Sequence, residues 1–153
     1  MAELATGHLK GVTNGAALVL GSGLGGGIII NGKLFQGSHF QAGELTFLLP
    51  LQMEKLDPSL MQETTLSAIG LITKVNEILA RLDLKDGLLA FKAINAKKEA
   101  VYPIFETYCR NLAITILNLQ TIFDMETFVL GGGISAQSIL IEEVNRQFDK
   151  VHH

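Results

Sequence analysis

Leu18-Val19-Leu20-Gly21-Ser22-Gly23-Leu24-Gly25-Gly26-Gly27-Ile28-Ile29-Ile30-Asn31-Gly32 is the stretch on which the reading of the whole chain turns. Two apolar, partly β-branched runs are hinged on a cluster of glycines, and glycine lets backbone take positive φ and come close to a ligand. Several amide N–H groups can converge in such a hinge and form a concave anion site, suited to a phosphate, without any side-chain charge. Gly21, Gly23 and Gly26 also fit G-x-G-x-x-G, but that pattern binds a dinucleotide only where a helix follows and meets the pyrophosphate with its N-terminus. No helix is expected here. Ile28-Ile29-Ile30 is β-branched, Asn31-Gly32 is the favoured centre of a type I′ turn, and Lys33-Leu34-Phe35 returns. Glu44 stands near the spacing of a ribose-binding acid, but a strand and a turn intervene, which argues against a nicotinamide site.

Working outward, Gly15 to Gly21, Gly26 to Asn31 and Lys33 to Gln36 read as three antiparallel strands. On the N-terminal side, Met1 to Leu9 reads as the end of an Ala-rich helix stopped by Gly11, with His8 near its C-terminus. On the other side, Gly37 to Gly43 is a polar loop of small residues, and Glu44 to Leu49 is apolar enough for a strand edge ended by Pro50. Asp57 as N-cap and Pro58 at the first position open a helix that apolar spacing carries to about Leu82, with Ser67 and Gly70 interrupting it. A second helix is expected from near Asp86 to Ala96. A third, Glu99 to Phe123, carries Ile104, Tyr108, Leu112, Ile116, Leu119 and Ile122 and reads as the main core helix. Glu126 to Gly131 is a buried strand, followed by a glycine turn and a helix from Ser135, its expected N-cap, to about Lys150. Strands, then helices, then a returning strand with its helix describe an α/β fold, a mixed sheet covered by helices.

Composition narrows the function. The 153 residues are one domain by length, 48% of them apolar, which excludes general disorder. A net charge of −3 with scattered basic residues argues against a nucleic-acid surface, which needs clustered Lys and Arg. Lys97-Lys98 is the only adjacent basic pair and reads as a solvated helix end. Cys109, the only cysteine, can form neither an internal disulfide nor a cysteine-based zinc site; it reads as a buried small side chain and points to the cytoplasm. No apolar run reaches membrane-span length, so no membrane partner is expected.

Leu20 to Leu34 closely resembles the phosphate segment of the ROK family, which groups bacterial sugar kinases with sugar-responsive repressors. Gln41-Ala42-Gly43-Glu44 and Val129-Leu130-Gly131-Gly132-Gly133-Ile134-Ser135 also look like ROK motifs and come in the family's order. The resemblance implies an actin-like ATPase (ribonuclease H-like) lobe. It implies ATP with Mg²⁺ as phosphoryl donor and a hexose or hexose derivative as acceptor; the long apolar helix faces favour self-association as a homodimer. Gly21, Ser22, Gly23 and Gly25 would cradle the ATP phosphates, with Ser22 at the family's usual threonine. Gly131, Gly132 and Gly133 would form the adenosine-side loop, although close strand-to-helix packing accounts for one of these glycines.

By the same resemblance Glu44 is the sugar-binding glutamate; a carboxylate in a loop of small residues accepts hydrogen bonds from vicinal hydroxyls. The family's zinc-liganding histidine three residues on is here Phe47, and its cysteine-rich motif is replaced by Leu49 to Leu56, so no zinc is expected. Glu63, four residues before Ser67, aligns with a second sugar-binding glutamate; a solvated residue in the first turn of a helix fits it equally. His39 would sit in the sugar loop, where a structural role is the competing reading. The family's catalytic aspartate would lie upstream of Met1. The chain is therefore expected to be a single domain, residues 1–153, forming most of the C-terminal lobe of a two-lobe kinase, and inactive by itself. Two other readings are the sugar-sensing module of a ROK repressor and a catalytically silent actin-like domain.

Overall fold

The computed structural model describes residues 3–7, 9–49, 54–61 and 65–151. A five-stranded sheet carries the fold: β1 (Glu3–Thr6), β2 (Gly15–Leu20), β3 (Leu24–Ile30), β4 (Lys33–Leu34) and β5 (Thr127–Gly131), in the order β1-β5-β2-β3-β4. β1, β5 and β2 run parallel, whereas β2, β3 and β4 are antiparallel neighbours. The sheet is mixed, and four helices join it among the described residues: α1 (Ala68–Ile78), α2 (Gly87–Asn95), α3 (Tyr102–Phe123) and α4 (Ser138–Asp149).

The hairpin between β3 and β4 forms as the turn chemistry demands. Ile30 pairs with Lys33, and the two central residues Asn31 and Gly32 both take positive φ, 53° and 75°. The same end of the sheet is tied down from below. One Glu126 carboxylate oxygen accepts from the amides of Thr13 (2.7 Å) and Asn14 (3.0 Å), and the Asn14 side-chain oxygen accepts from the Asn31 amide at 2.9 Å.

The core lies between one sheet face and the helices. Ala16, Leu18 and Leu20 of β2, Leu24 and Ile28 of β3, and Phe128 and Leu130 of β5 pack against buried helical residues. As its spacing indicates, α3 is the central helix, burying Phe105, Tyr108, Cys109, Leu112, Ala113, Ile116 and Leu119. Phe91 meets Phe105 edge to face, with centroids 5.8 Å apart. Burial pushes the Cys109 thiol well above its ordinary pKa, which leaves it protonated and inert.

Several local expectations are corrected. Residues 3–6 are not helical: they pair with β5, Glu3 opposite Thr127 through Thr6 opposite Leu130. A helix so short is marginal in isolation, whereas a strand there satisfies a β5 edge that would otherwise be open. His8 lies outside the described residues. Glu44 to Leu49 is not a strand edge but a single 3₁₀ turn, Leu45–Phe47. Asp57 does cap Pro58, accepting from the Ser59 amide, and the turn that opens there, Pro58–Leu60, is 3₁₀; α1 begins at Ala68, and Ser67 is its N-cap rather than an interruption. Ser135 does not cap the last helix. Its amide and hydroxyl both donate to the Gly132 carbonyl, at 3.1 Å and 2.7 Å, and Gln137 takes the N-cap position.

A buried ionic network pins α4 to α3. The Glu143 carboxylate is 2% exposed and accepts from Tyr102 Oη (2.7 Å), Arg146 Nε (3.0 Å) and Gln147 Nε2 (2.7 Å), while Arg146 also reaches Glu106 at 2.7 Å. Burial by itself raises a carboxyl pKa, but the hydrogen bonds from Tyr102, Arg146 and Gln147 outweigh it and hold Glu143 below its ordinary value. A group depressed in the folded state binds fewer protons there than in the unfolded chain, so stability is present above the unfolded value, ~4.3, and is lost as pH falls through the folded one. Thermal unfolding followed against pH should therefore show an acid limb below about pH 4.3 that Glu143→Gln flattens.

Gly132 supplies a second test. It takes φ +95°, and a Cβ there would run into the Leu20 carbonyl, whereas a Cβ on Gly133 meets nothing within 4 Å. Gly132→Ala is expected to cost at least about 2 kcal/mol in urea unfolding and Gly133→Ala less than about 1 kcal/mol.

Candidate functional site

β2 and β5 are parallel neighbours, so both end at the same edge of the sheet, and the loops that leave them lie side by side. In open α/β sheets ligands bind outside such carboxyl ends. Leu20 and Leu24 close the β2–β3 ladder, leaving Gly21, Ser22 and Gly23 as the turn. The Gly21 amide donates across it to the Gly23 carbonyl at 3.2 Å. The Gly21 carbonyl in turn accepts from the first amides of α1, Ala68 (2.8 Å) and Ile69 (3.3 Å), and Ser67 Oγ accepts from Gly70 at 2.9 Å. The N-terminal amides of α1 are thus engaged. Those of Ser22 and Gly23 find no protein acceptor among the described residues, and the Ser22 side chain is exposed beside them.

The β5–α4 loop presses on this turn through Gly132 and the Leu20 carbonyl. Between the two loops opens a mainly apolar cleft of about 470 Å³, with Gly21 and Gly133 at its base, Ile69, Ile72 and Leu88 on its walls, and Gln137 at its edge. Leu88 is 82% exposed there. The glycines divide by cause. Gly132 is required by packing, which accounts for one glycine of its triplet, and a Cβ on Gly25 would meet only Val19, its Cβ at 3.4 Å and its carbonyl oxygen at 3.8 Å. Gly21 and Gly133 have open space where a Cβ would stand, so the fold itself does not demand glycine at either. Backbone left bare beside a cleft suits the close approach of a ligand. Ile69 and Ile72 belong to the apolar spacing of the helix that ends near Leu82; their place as cleft walls depends on where α2 packs, which spacing alone does not give.

A second hollow, of about 530 Å³, is lined by Gln41, Glu44 and Phe47. The segment that supplies them carries Gly37 and Gly43 at φ +75° and +89°, continues into the 3₁₀ turn, and rests on β3 at Gly26. A Cβ on Gly26 would stand 2.6 Å from the Gly43 carbonyl and 2.7 Å from Leu45 Cδ1. Glu44 is exposed, and its carboxylate has no partner among the described residues. His39 is exposed at the far bend of the loop and does not line the hollow, and Glu63 lies outside the described residues. Among the described residues no cluster of three or more His, Cys, Asp or Glu is placed to hold a metal. Gly26→Ala must displace the loop, and the melting temperature should drop by a few degrees in thermal unfolding.

Comparison with known proteins gives this geometry a lineage. The ROK family matches residues 1–152. A β-glucoside kinase of Klebsiella pneumoniae is 29% identical over 137 residues, 88% of this chain and 46% of the kinase. Among solved structures, a ROK family protein from Streptococcus pneumoniae in complex with sucrose aligns with a TM-score of 0.77 at 30% identity, over 92% of this chain and 48% of that one. A ROK family glucokinase from Streptomyces griseus, in complex with glucose and AMPPNP, aligns with a TM-score of 0.75 at 23% identity, over 94% and 52%. The chain spans about half the length of the curated relatives it matches. Its mixed sheet, with an antiparallel hairpin set under helices, is the actin-like ATPase lobe of these proteins. The chain belongs to the ROK family.

Proposed function

We propose that this chain is most of the C-terminal lobe of a two-lobe sugar kinase that phosphorylates a hexose or hexose derivative with ATP. One observation carries the reading: the unengaged Ser22 and Gly23 amides stand beside an apolar cleft, and the same strand that leaves them supports, at Gly26, the loop bearing Glu44. Phosphoryl transfer demands mainly positioning and charge stabilisation, and the two sites divide that work.

In this reading the cleft takes the adenosine, with Gly131, Gly132 and Gly133 beside it, while Gly21, Ser22, Gly23 and Gly25 receive the phosphates. Amide donors aimed at phosphate oxygens stabilise the negative charge that the leaving ADP gains. The cradle itself offers amides and one hydroxyl but no carboxylate, so Mg²⁺ would be held there chiefly by the nucleotide's phosphate oxygens, where it would neutralise charge. Glu44 fixes the sugar by accepting from its hydroxyls, with His39 of the same loop and Glu63, the second glutamate of the family pattern, assigned to the sugar as well. The acceptor hydroxyl oxygen bonds to the γ-phosphorus as the bond to the β–γ bridging oxygen breaks, and ADP departs. The hydroxyl proton goes to an aspartate assigned to the length of the relatives that this chain does not cover. The chain by itself is then inactive.

The relatives' names support the substrate class: they include a glucokinase, a β-glucoside kinase and an N-acetyl-D-glucosamine kinase. The glucokinase structure carries AMPPNP, which supports ATP as donor. A cytoplasmic homodimer completes the proposal. Among the described residues no helix is long and apolar enough to cross a membrane, and Ile114 and Ile122 are exposed on α3, apolar surface that a second copy can cover.

A coupled ADP-release assay on the full-length protein over a panel of hexoses tests it. ADP should appear only when a hexose is supplied, and Glu44→Ala, folded by circular dichroism, should lower kcat/KM on the order of 100-fold, the cost of losing a charged hydrogen bond. Undiminished activity in the variant would remove Glu44 from the site. Hexose binding without ADP release would favour the repressor's sugar sensor instead.

A further inference from the structure

Phe47 is 60% exposed and lies within three residues of Glu44, in a turn whose conformation the fold sets tightly. Leu45 is the anchor of that turn. It is 5% exposed and fills the space that the missing Cβ of Gly26 leaves open. The Phe47 amide donates to the Glu44 carbonyl at 3.3 Å, an i to i+3 bond. In a 3₁₀ turn residues three apart eclipse one another, so with Leu45 turned into the core, Glu44 and Phe47 emerge on the same side. Both line the 530 Å³ hollow, with the Gln41 amide as its third wall.

The fold has no use for this ring. Phe47 makes none of the ring contacts found among the described residues and is absent from the hydrophobic core. A large apolar side chain held in the open beside an unpartnered carboxylate marks a ligand surface rather than a packing element. A pyranose is amphiphilic in the same sense: hydroxyls surround its edge, while its faces carry C–H groups made slightly positive by neighbouring oxygens. An aromatic ring presents a negative face to such groups. Glu44 and Gln41 match the edge, and Phe47 matches the face.

We infer that Phe47 is the stacking platform of the sugar site and selects acceptors in the pyranose form, whose C–H face is continuous, over furanose and open-chain polyol forms. The inference rests on the sugar reading of the Glu44 hollow. It assigns to an aromatic ring the position where the family resemblance implies a metal-held histidine, which changes the contact from a hydroxyl to a C–H face.

The chain contains no tryptophan, so Phe47→Trp places a reporter at the position itself. In the full-length protein, emission of this variant above the wild-type background should change saturably as an aldohexopyranose is titrated and stay flat with an acyclic hexitol. In the ADP-release assay Phe47→Leu should raise KM for the hexose at least about tenfold and leave KM for ATP within about twofold, whereas Phe47→Tyr, which keeps the ring, stays within about threefold of wild type. Emission that ignores hexoses the wild type phosphorylates, or a hexose KM unmoved in Phe47→Leu, would overturn the assignment and leave the kinase reading intact. Saturable emission without ADP release would support Phe47 and reject phosphoryl transfer.

Discussion

The double pairing of β2 is the constraint on which the molecule depends. Its residues bond in parallel to β5 on one side and antiparallel to β3 on the other. Parallel pairing sends the two chains out at the same edge, and antiparallel pairing turns one of them straight back. The turn that reverses β2 and the loop that leaves β5 must then share one corner, and only a residue without a Cβ fits where they meet. Gly132 against the Leu20 carbonyl is that meeting point. Everything at the cleft follows from it, because the backbone is brought close before any side chain is placed.

The helices then decide which backbone groups remain available. α1 starts on the Gly21 carbonyl, and Ser67 caps it, so its own amides are consumed internally. This leaves the turn amides of Ser22 and Gly23, rather than the N-terminus of α1, as donors open at the corner. On the far side of β3, the absent Cβ of Gly26 lets Leu45 sink into the core, and the residues on either side of Leu45 are turned outward by that anchoring. One strand with glycines at successive positions thereby supports two different concave surfaces.

The elements legible in the sequence were those whose cause is local. Asn31-Gly32 names its own turn type, the apolar spacing of residues 104–122 names a core helix, and a dense glycine cluster between apolar runs names a turn. The elements that were misread are settled at long range. Residues 3–6 become a strand because β5, more than a hundred positions away, has an edge to pair. Residues 45–47 curl into a 3₁₀ turn because Gly26 offers Leu45 a seat. Ser135 has the chemistry of an N-cap, but its hydroxyl is drawn back to the Gly132 carbonyl by the tight glycine turn. Of the candidate residues, Glu44 was legible from its loop and family motif and lines a hollow, while the apolar cleft walls required the packing of α1 against α2. His39 was read into the sugar loop but stands away from the hollow's lining.

The carboxylate of Glu126 reaches across 113 positions of sequence to hold the amide of Thr13. It acts as an alignment pin for strands that have no turn in common. Because side chains in a sheet alternate with a period of two, a slip of one position between β2 and β5 would send Leu18 and Phe128 to opposite faces. It would also carry Gly132 out of step with the carbonyl it must clear. The pin sits at the end of the sheet remote from the cleft, so a single acidic residue fixes the phasing of two loops it never touches.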